Sequence, residues 1–133
     1  MLKTSYSNYF EFIDFVKKYK TKIGGSNKLT YAFDKIIRLN KHIQEDYQNE
    51  INDLRVDFCE KDKTEEKKGH LLHDESGNYV WSAEGTKLLN KAVIELSRNK
   101  EISINTYSQE ITEDFKLTEL EQEIFRPFLA LND

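Results

Sequence analysis

Several groups of residues in this 133-residue chain have types and spacings that could support chemistry. His70 and His73 are the first. On a helix they could share a face and grip one metal ion, but the flanking residues read as strand, where positions three apart point to opposite faces. His42 is distant in sequence, and no further cluster of Cys or His completes a ligand set, so no metal is expected. Asp46, Glu50, Asp53 and Asp57 follow helical spacing and form an acidic ridge. Glycosidases and two-metal nucleases need paired carboxylates facing into a cleft. A ridge on one helix is instead a solvated face or a docking surface for a basic partner. Gly24-Gly25-Ser26 ahead of a helix could hold an anion at the helix N-terminus, but the segment before it reads as helix and the Walker lysine pattern is lacking. Cys59, the single cysteine, cannot form an intramolecular disulfide and reads as a small packed or half-exposed thiol, since a nucleophile would need a recognisable partner. The chain has no Gly-rich phosphate loop, no G-x-S-x-G elbow and no Cys/His pair at a telling spacing. A non-enzyme with no cofactor and no catalytic residues is the expectation.

The cations are sorted. Lys17, Lys18, Lys20, Lys22, Lys28, Lys35, Arg38 and Lys41 precede the acidic ridge, so a helix carrying both is basic first and acidic second. That order opposes the helix macrodipole, which favours acid at the N-terminus. It points to a protein partner, or to antiparallel pairing with a second copy in a homodimer. Asn40, which interrupts the apolar stripe, reads first as bonding a loop of the same chain; a register-setting role in such a dimer is the alternative. The candidate interaction surface is therefore Lys35, Arg38, Lys41, Asp46, Glu50, Asp53 and Asp57. A net charge of −4, with acids and bases interleaved, provides no chain-wide field for phosphate binding. Nucleic acid is a disfavoured partner, with residues 17–38 as its one candidate region.

The elements that must position these groups follow from periodicity. Residues 8–20 place Tyr9, Phe12, Ile13, Val16 and Tyr19 on one helical face, with Asn8 and Glu11 as a cap and Gly24-Gly25 as the stop. Ser26 or Asn27 can cap the next helix. From 28 to about 60 there is no Gly or Pro, and Leu29, Phe33, Ile36, Ile43, Tyr47 and Leu54 make a stripe that predicts one long amphipathic helix. Such a helix would be roughly 45–50 Å long. Its stripe is wider than a strict coiled-coil seam and fits packing inside one domain. Residues 60–68 are almost all charged and read as a solvated loop. Two short apolar runs, His70-Leu71-Leu72-His73 and Tyr79-Val80-Trp81, flank a D-x-S-G-N turn and predict a β-hairpin. A helix from Ser82 follows, with Leu88, Leu89, Ala92, Val93 and Leu96 on one face. Residues 101–107 alternate as a strand that could join the hairpin. Thr118 and Glu121 form a capping box for a last short helix limited by Pro127, after which Phe128, Leu129 and Leu131 fold back.

The expected fold is α+β: one long amphipathic helix plus three shorter helices, with the hairpin and a third strand forming a small antiparallel sheet. The chain reads as a single domain, 1–133, divided into an N-terminal helix (1–25), the long helix (26–60), a charged loop (61–69), a hairpin-helix-strand segment (70–107) and a C-terminal helix with an apolar tail (108–133). Apolar residues at 38% are enough for a core even with 33% charged residues. No secretory leader and no run of about 18 apolar residues is present, so no membrane contact and a cytoplasmic location are expected.

The segments KLTYAFDKIIRLNKHIQEDYQNEINDLRVDFCEKD, DESGNYVW, GTKLLNKAVIELSRNKEISI and LTELEQEIFRPFL, in this order, resemble a family of small phage-encoded proteins of unknown function. Its members occur in phages and prophages of Gram-positive and related bacteria. They share a long helix ending in an EKD-like run, a DENGNY-like turn, an acidic-apolar helix, a strand and a closing LT-x-x-E-x-x-x-x-x-P-F. The likeness covers residues 28–129 by order and spacing; the first helix and residues 61–69 do not match. The family has no assigned catalytic residues, so none transfers. The resemblance implies a bacteriophage accessory protein. With the charge pattern, it leads to the expectation of protein–protein binding in the host cytoplasm as a host-directed inhibitor or modulator. Alternatives are a virion-associated tail or capsid assembly component, and a weak nucleic-acid binder.

Overall fold

The computed structural model describes residues 1–59, 75–76 and 78–130. The charged loop at 61–69, the His70–His73 run, Asp74 and Gly77 of the turn after it and Leu131 of the tail lie outside the described residues. The elements are β1 (Leu2–Thr4), α1 (Tyr6–Ile23), α2 (Lys28–Leu39), α3 (His42–Phe58), α4 (Ala83–Asn99), β2 (Ile102–Ile104) and α5 (Glu119–Phe125), with single 3-10 turns at Glu113–Phe115 and Arg126–Leu129. The chain is thus mostly helical.

Two expectations about the fold are corrected here. The long helix is two helices, broken at Asn40. That residue is fully buried, and its backbone, at φ −116° and ψ 19°, has left the helical region. Its amide nitrogen donates to the Ile36 carbonyl at 2.7 Å and to the Asn105 carbonyl at 2.8 Å, while its Oδ1 accepts the Asn105 N–H at 2.8 Å. A side chain that satisfies both backbone groups of a distant residue competes with the helical ladder and stops it. Ile43 N–H then bonds the Asn40 carbonyl at 2.9 Å, which starts α3. Asn40 therefore serves its own chain and sets no register between copies.

The sheet is the second correction. Among the described residues there are two strands, not three: β2 pairs antiparallel with β1 in the register Leu2↔Ile104, Lys3↔Ser103, Thr4↔Ile102. Tyr79 holds only an isolated bridge position, so Tyr79–Trp81 is not a strand. With α2 and α3 separate, the described residues contain five α-helices rather than four.

The chain divides into two compact units, Met1–Ile43 with Arg98–Asp133, and Gln44–Ser97. In unit 1 the helix ends are closed by local chemistry. Ser5, three residues ahead of the expected Asn8, accepts the Asn8 N–H and caps α1. Gly24 takes φ 62°, the left-handed conformation that ends α1 without a Cβ penalty. Asn27 with Thr30, and Thr118 with Glu121, form reciprocal capping boxes. Between these ends lies an aromatic core. Phe12 stacks on Phe128 at 4.1 Å between centroids, Phe33 meets Phe125 at 4.4 Å, and Phe12 and Tyr19 present edges to Phe33. Leu29, Ala32, Ile36 and Ile104 fill the remaining space with no exposed surface. Burial pushes the Tyr9 phenol up to about 12, so its ring packs as a neutral group.

Unit 2 is a helix pair. The Tyr47 hydroxyl lies 2.8 Å from Ser97 Oγ, joining the start of α3 to the end of α4. At the other end a Cβ on Gly85 would sit 2.9 Å from the Phe58 carbonyl oxygen, so glycine permits the close approach. The two helices therefore run antiparallel. Ser82 Oγ caps α4 by accepting the Gly85 N–H at 2.9 Å. Trp81 donates to the Arg55 carbonyl at 3.0 Å, and the Arg55 guanidinium lies 5.2 Å from the centre of its ring. No helix among the described residues is long and apolar enough to cross a membrane.

Candidate protein-docking site

The facing stripes of unit 2 are Tyr47, Ile51, Leu54 and Phe58 on α3 and Leu89, Ala92, Val93 and Leu96 on α4, and all of them are half-buried. Two helices cover each other along a single line, so apolar side chains beside that line are only partly covered by the partner helix. On one side this produces a groove of about 480 Å³ lined by Glu50, Asp53 and Leu54 from α3 and by Ala92, Glu95 and Leu96 from α4. Its floor is apolar and its rim carries three carboxylates. Asp46 and Asp57 continue the Glu50–Asp53 row at the same helical spacing, and both are exposed. A cation placed beside these carboxylates is attracted to them. Among the described residues no group of three or more His, Cys, Asp and Glu is disposed to hold a metal ion.

The seven residues of the sequence-derived surface divide between the units. Glu50 and Asp53 line the groove, while Lys35, Arg38 and Lys41 belong to unit 1. Lys35 is half-buried on α2, Arg38 is exposed near its end, and Lys41 is exposed in the link before α3. Once Asn40 ends α2, the basic and acidic halves no longer share a helix. The cations of α1 are partly engaged within the chain. Lys20 pairs with Asp34, Lys22 bonds Glu121 at 2.9 Å, and the Lys18 ammonium lies 5.3 Å from the centre of the Phe15 ring. The Gly24-Gly25-Ser26 segment offers no open helix N-terminus, because Asn27 and Thr30 cap α2 reciprocally. Cys59 is buried. The His70 and His73 pair lies outside the described residues.

Sequence reasoning missed the α4 side of the groove. The stripe Leu88-Leu89-Ala92-Val93-Leu96 announced α4, and Glu95 stands beside it, but nothing local says that this stripe faces α3. A second groove, of about 530 Å³, lies within unit 1 between α1 and α5, with Phe15, Leu120, Ile124 and Pro127 in its wall. It lacks a concentration of one charge, since Glu11 and Glu123 are its only ionisable lining residues. The chain matches no family model, no curated protein and no solved structure.

Proposed function

We propose that the chain is a non-enzymatic bacteriophage accessory protein that acts in the host cytoplasm by protein–protein binding, as a host-directed inhibitor or modulator. The observation that carries the binding role is the groove of unit 2, with its floor of Leu54, Ala92 and Leu96 inside a rim of Glu50, Asp53 and Glu95. The segment order that resembles small phage proteins supports the origin. The partner chemistry that fits is a basic amphipathic helix. Its apolar side chains, at i, i+3 and i+7, would seat on the floor, and its Lys or Arg side chains would reach the rim. Apolar burial would supply most of the affinity, at about 25 cal/mol per Å² removed from water. The exposed ion pairs would add only ~0.2–1 kcal/mol each and would serve mainly to steer and orient the partner.

The test is affinity capture from phage-infected host lysate with the full chain as bait, beside the variant Asp53→Lys/Glu95→Lys. A host protein held by the wild type and released by the double reversal supports the reading. Capture of tail or capsid proteins replaces the host-directed role with an assembly role. Captured proteins that ignore the reversal remove the groove as the docking site.

A further inference from the structure

The chain itself carries the kind of surface its groove would accept. On α4, positions 87, 91 and 94 are spaced i, i+4 and i+7 and share one face. They are Lys87, Lys91 and Ile94, all exposed, and Ile94 shows 51% of its surface to solvent. Leu88, 44% exposed, lies between that stripe and the groove face, one turn before Ala92. The result is a cationic and apolar ridge on the same unit as an anionic and apolar groove.

The placement of the two surfaces decides what kind of contact they can make. At 100° per residue, the centre of the Lys87–Lys91–Ile94 ridge lies roughly 120° around the α4 axis from the centre of Ala92, Glu95 and Leu96. A two-fold interface would have to bury both faces in one self-complementary patch, each ridge entering the other copy's groove. The antiparallel dimer suggested by charge sorting along one long helix is therefore replaced by a different geometry. As two separate faces, ridge and groove meet head to tail, with the ridge of one copy in the groove of the next. A contact of that kind closes into a ring or continues as a row.

We propose that the resident occupant of the α3–α4 groove is the Lys87–Lys91–Ile94 ridge of a second copy of this chain, docked head to tail. This rests on the reading of the groove as a protein-docking surface. Lys87 and Lys91 of one copy face Glu50, Asp53 and Glu95 of the next, and Ile94 covers the Leu54–Leu96 floor. In a row, one terminal groove stays open, and an outside partner enters there or displaces a neighbouring copy. Self-association then regulates access to the groove.

Complementary charge reversal in the full chain tests the proposal. One variant reverses the groove, Asp53→Lys/Glu95→Lys, and the other reverses the ridge, Lys87→Glu/Lys91→Glu. Sedimentation velocity over a concentration series should show the wild type rising above the 15.8 kDa monomer. Each variant alone should associate about tenfold more weakly or worse, since like charges then face each other. An equimolar mixture should recover wild-type association, because each variant supplies what the other lost. That recovery also shows that both variants fold, and far-UV circular dichroism checks each one separately. A wild type that stays monomeric at millimolar concentration overturns the proposal, as do variants that associate like the wild type or a mixture that recovers nothing. The lysate capture separates the two ideas. If the wild type is monomeric yet Asp53→Lys/Glu95→Lys still loses a captured protein, the docking role stands and only the second copy falls.

Discussion

Phe33 in unit 1 and Leu96 in unit 2 both sit in the apolar stripe of an amphipathic helix, yet Phe33 is fully enclosed and Leu96 is only half-covered. The difference comes from the number of surfaces available to each stripe. In unit 1 Phe33 of α2 meets Phe12 and Tyr19 of α1 and Phe125 of α5, while Phe128 of the 3-10 turn stacks on Phe12. Among the described residues, unit 2 has two helices and one line of contact. Enclosure makes a stripe part of a core, whereas the same pattern left half-covered and rimmed with charge leaves apolar surface for a partner to cover. Periodicity alone does not separate these outcomes.

Removing a large side chain from the enclosed region should have the greatest effect. Phe33→Ala should cost about 3–5 kcal/mol, the usual range for truncating a fully buried aromatic. Urea unfolding followed by far-UV circular dichroism measures it. Trp81, the single tryptophan, lies in unit 2 and hydrogen-bonds within it, so its fluorescence reports that unit alone. The circular dichroism midpoint should fall in the variant, while the Trp81 transition moves much less. If both probes move together, the two regions unfold as one and the contrast is false.

Next in size is Asn40→Ala. It leaves the N–H and C=O of Asn105 without their partner, and each orphaned backbone group costs about 1–3 kcal/mol. A loss of roughly 2–4 kcal/mol is expected in the same unfolding experiment. A loss below about 0.5 kcal/mol would mean that water replaces the side chain, and that the break between α2 and α3 has another cause.

Asn40 also marks the boundary of what could be read in advance. Local signals were legible: Gly24 ends α1, Ser82 starts α4, and the spacing of Thr118 and Glu121 announces a capping box. Each acts over three or four residues, where sequence and geometry are directly linked. The break at Asn40 depends on Asn105, which is 65 residues away, so a stretch without Gly or Pro reads as continuous helix. Strand β1 has three residues, too few to show alternation, and it exists because Ile102–Ile104 pairs with it. The groove was half legible. Helical spacing brought out Glu50 and Asp53, but it also joined them to Lys35, Arg38 and Lys41 through a helix that ends before it reaches them. Pairing between amphipathic stripes is a tertiary choice, and α4's contribution to the site could not be read from α3.

A smaller effect tests how firmly unit 1 is closed at α5. Glu121 is nearly buried, and burial alone would raise its pKa. The Thr118 backbone N–H and the Lys22 ammonium outweigh that and hold the carboxyl below its usual range. A carboxyl with a depressed folded pKa contributes stability that is complete above its unfolded value, about 4.3, and is lost as pH falls through the folded pKa. Glu121→Gln should therefore cost about 1–2 kcal/mol at pH 7, and the gap between wild type and variant should close below pH 4. A gap that stays constant down to pH 3 would assign the loss to packing instead of charge.

The smallest expected effect is also the one that bears most directly on unit 2. Leu96→Ala in an enclosed core would cost about 2–5 kcal/mol. Because Leu96 is half-covered, truncating it in the dilute monomer should cost only about 1 kcal/mol, in proportion to the apolar area it hides. The same truncation removes part of the groove floor, so its cost should grow with protein concentration as self-association comes to stabilise the wild type and not the variant. Unfolding monitored by Trp81 fluorescence at two concentrations a hundredfold apart measures both quantities. A cost near 1 kcal/mol that rises with concentration marks a side chain whose cover comes from another molecule. A cost near 3 kcal/mol that ignores concentration would mean Leu96 is already enclosed within its own chain, and unit 2 would then be a second core and not a docking element.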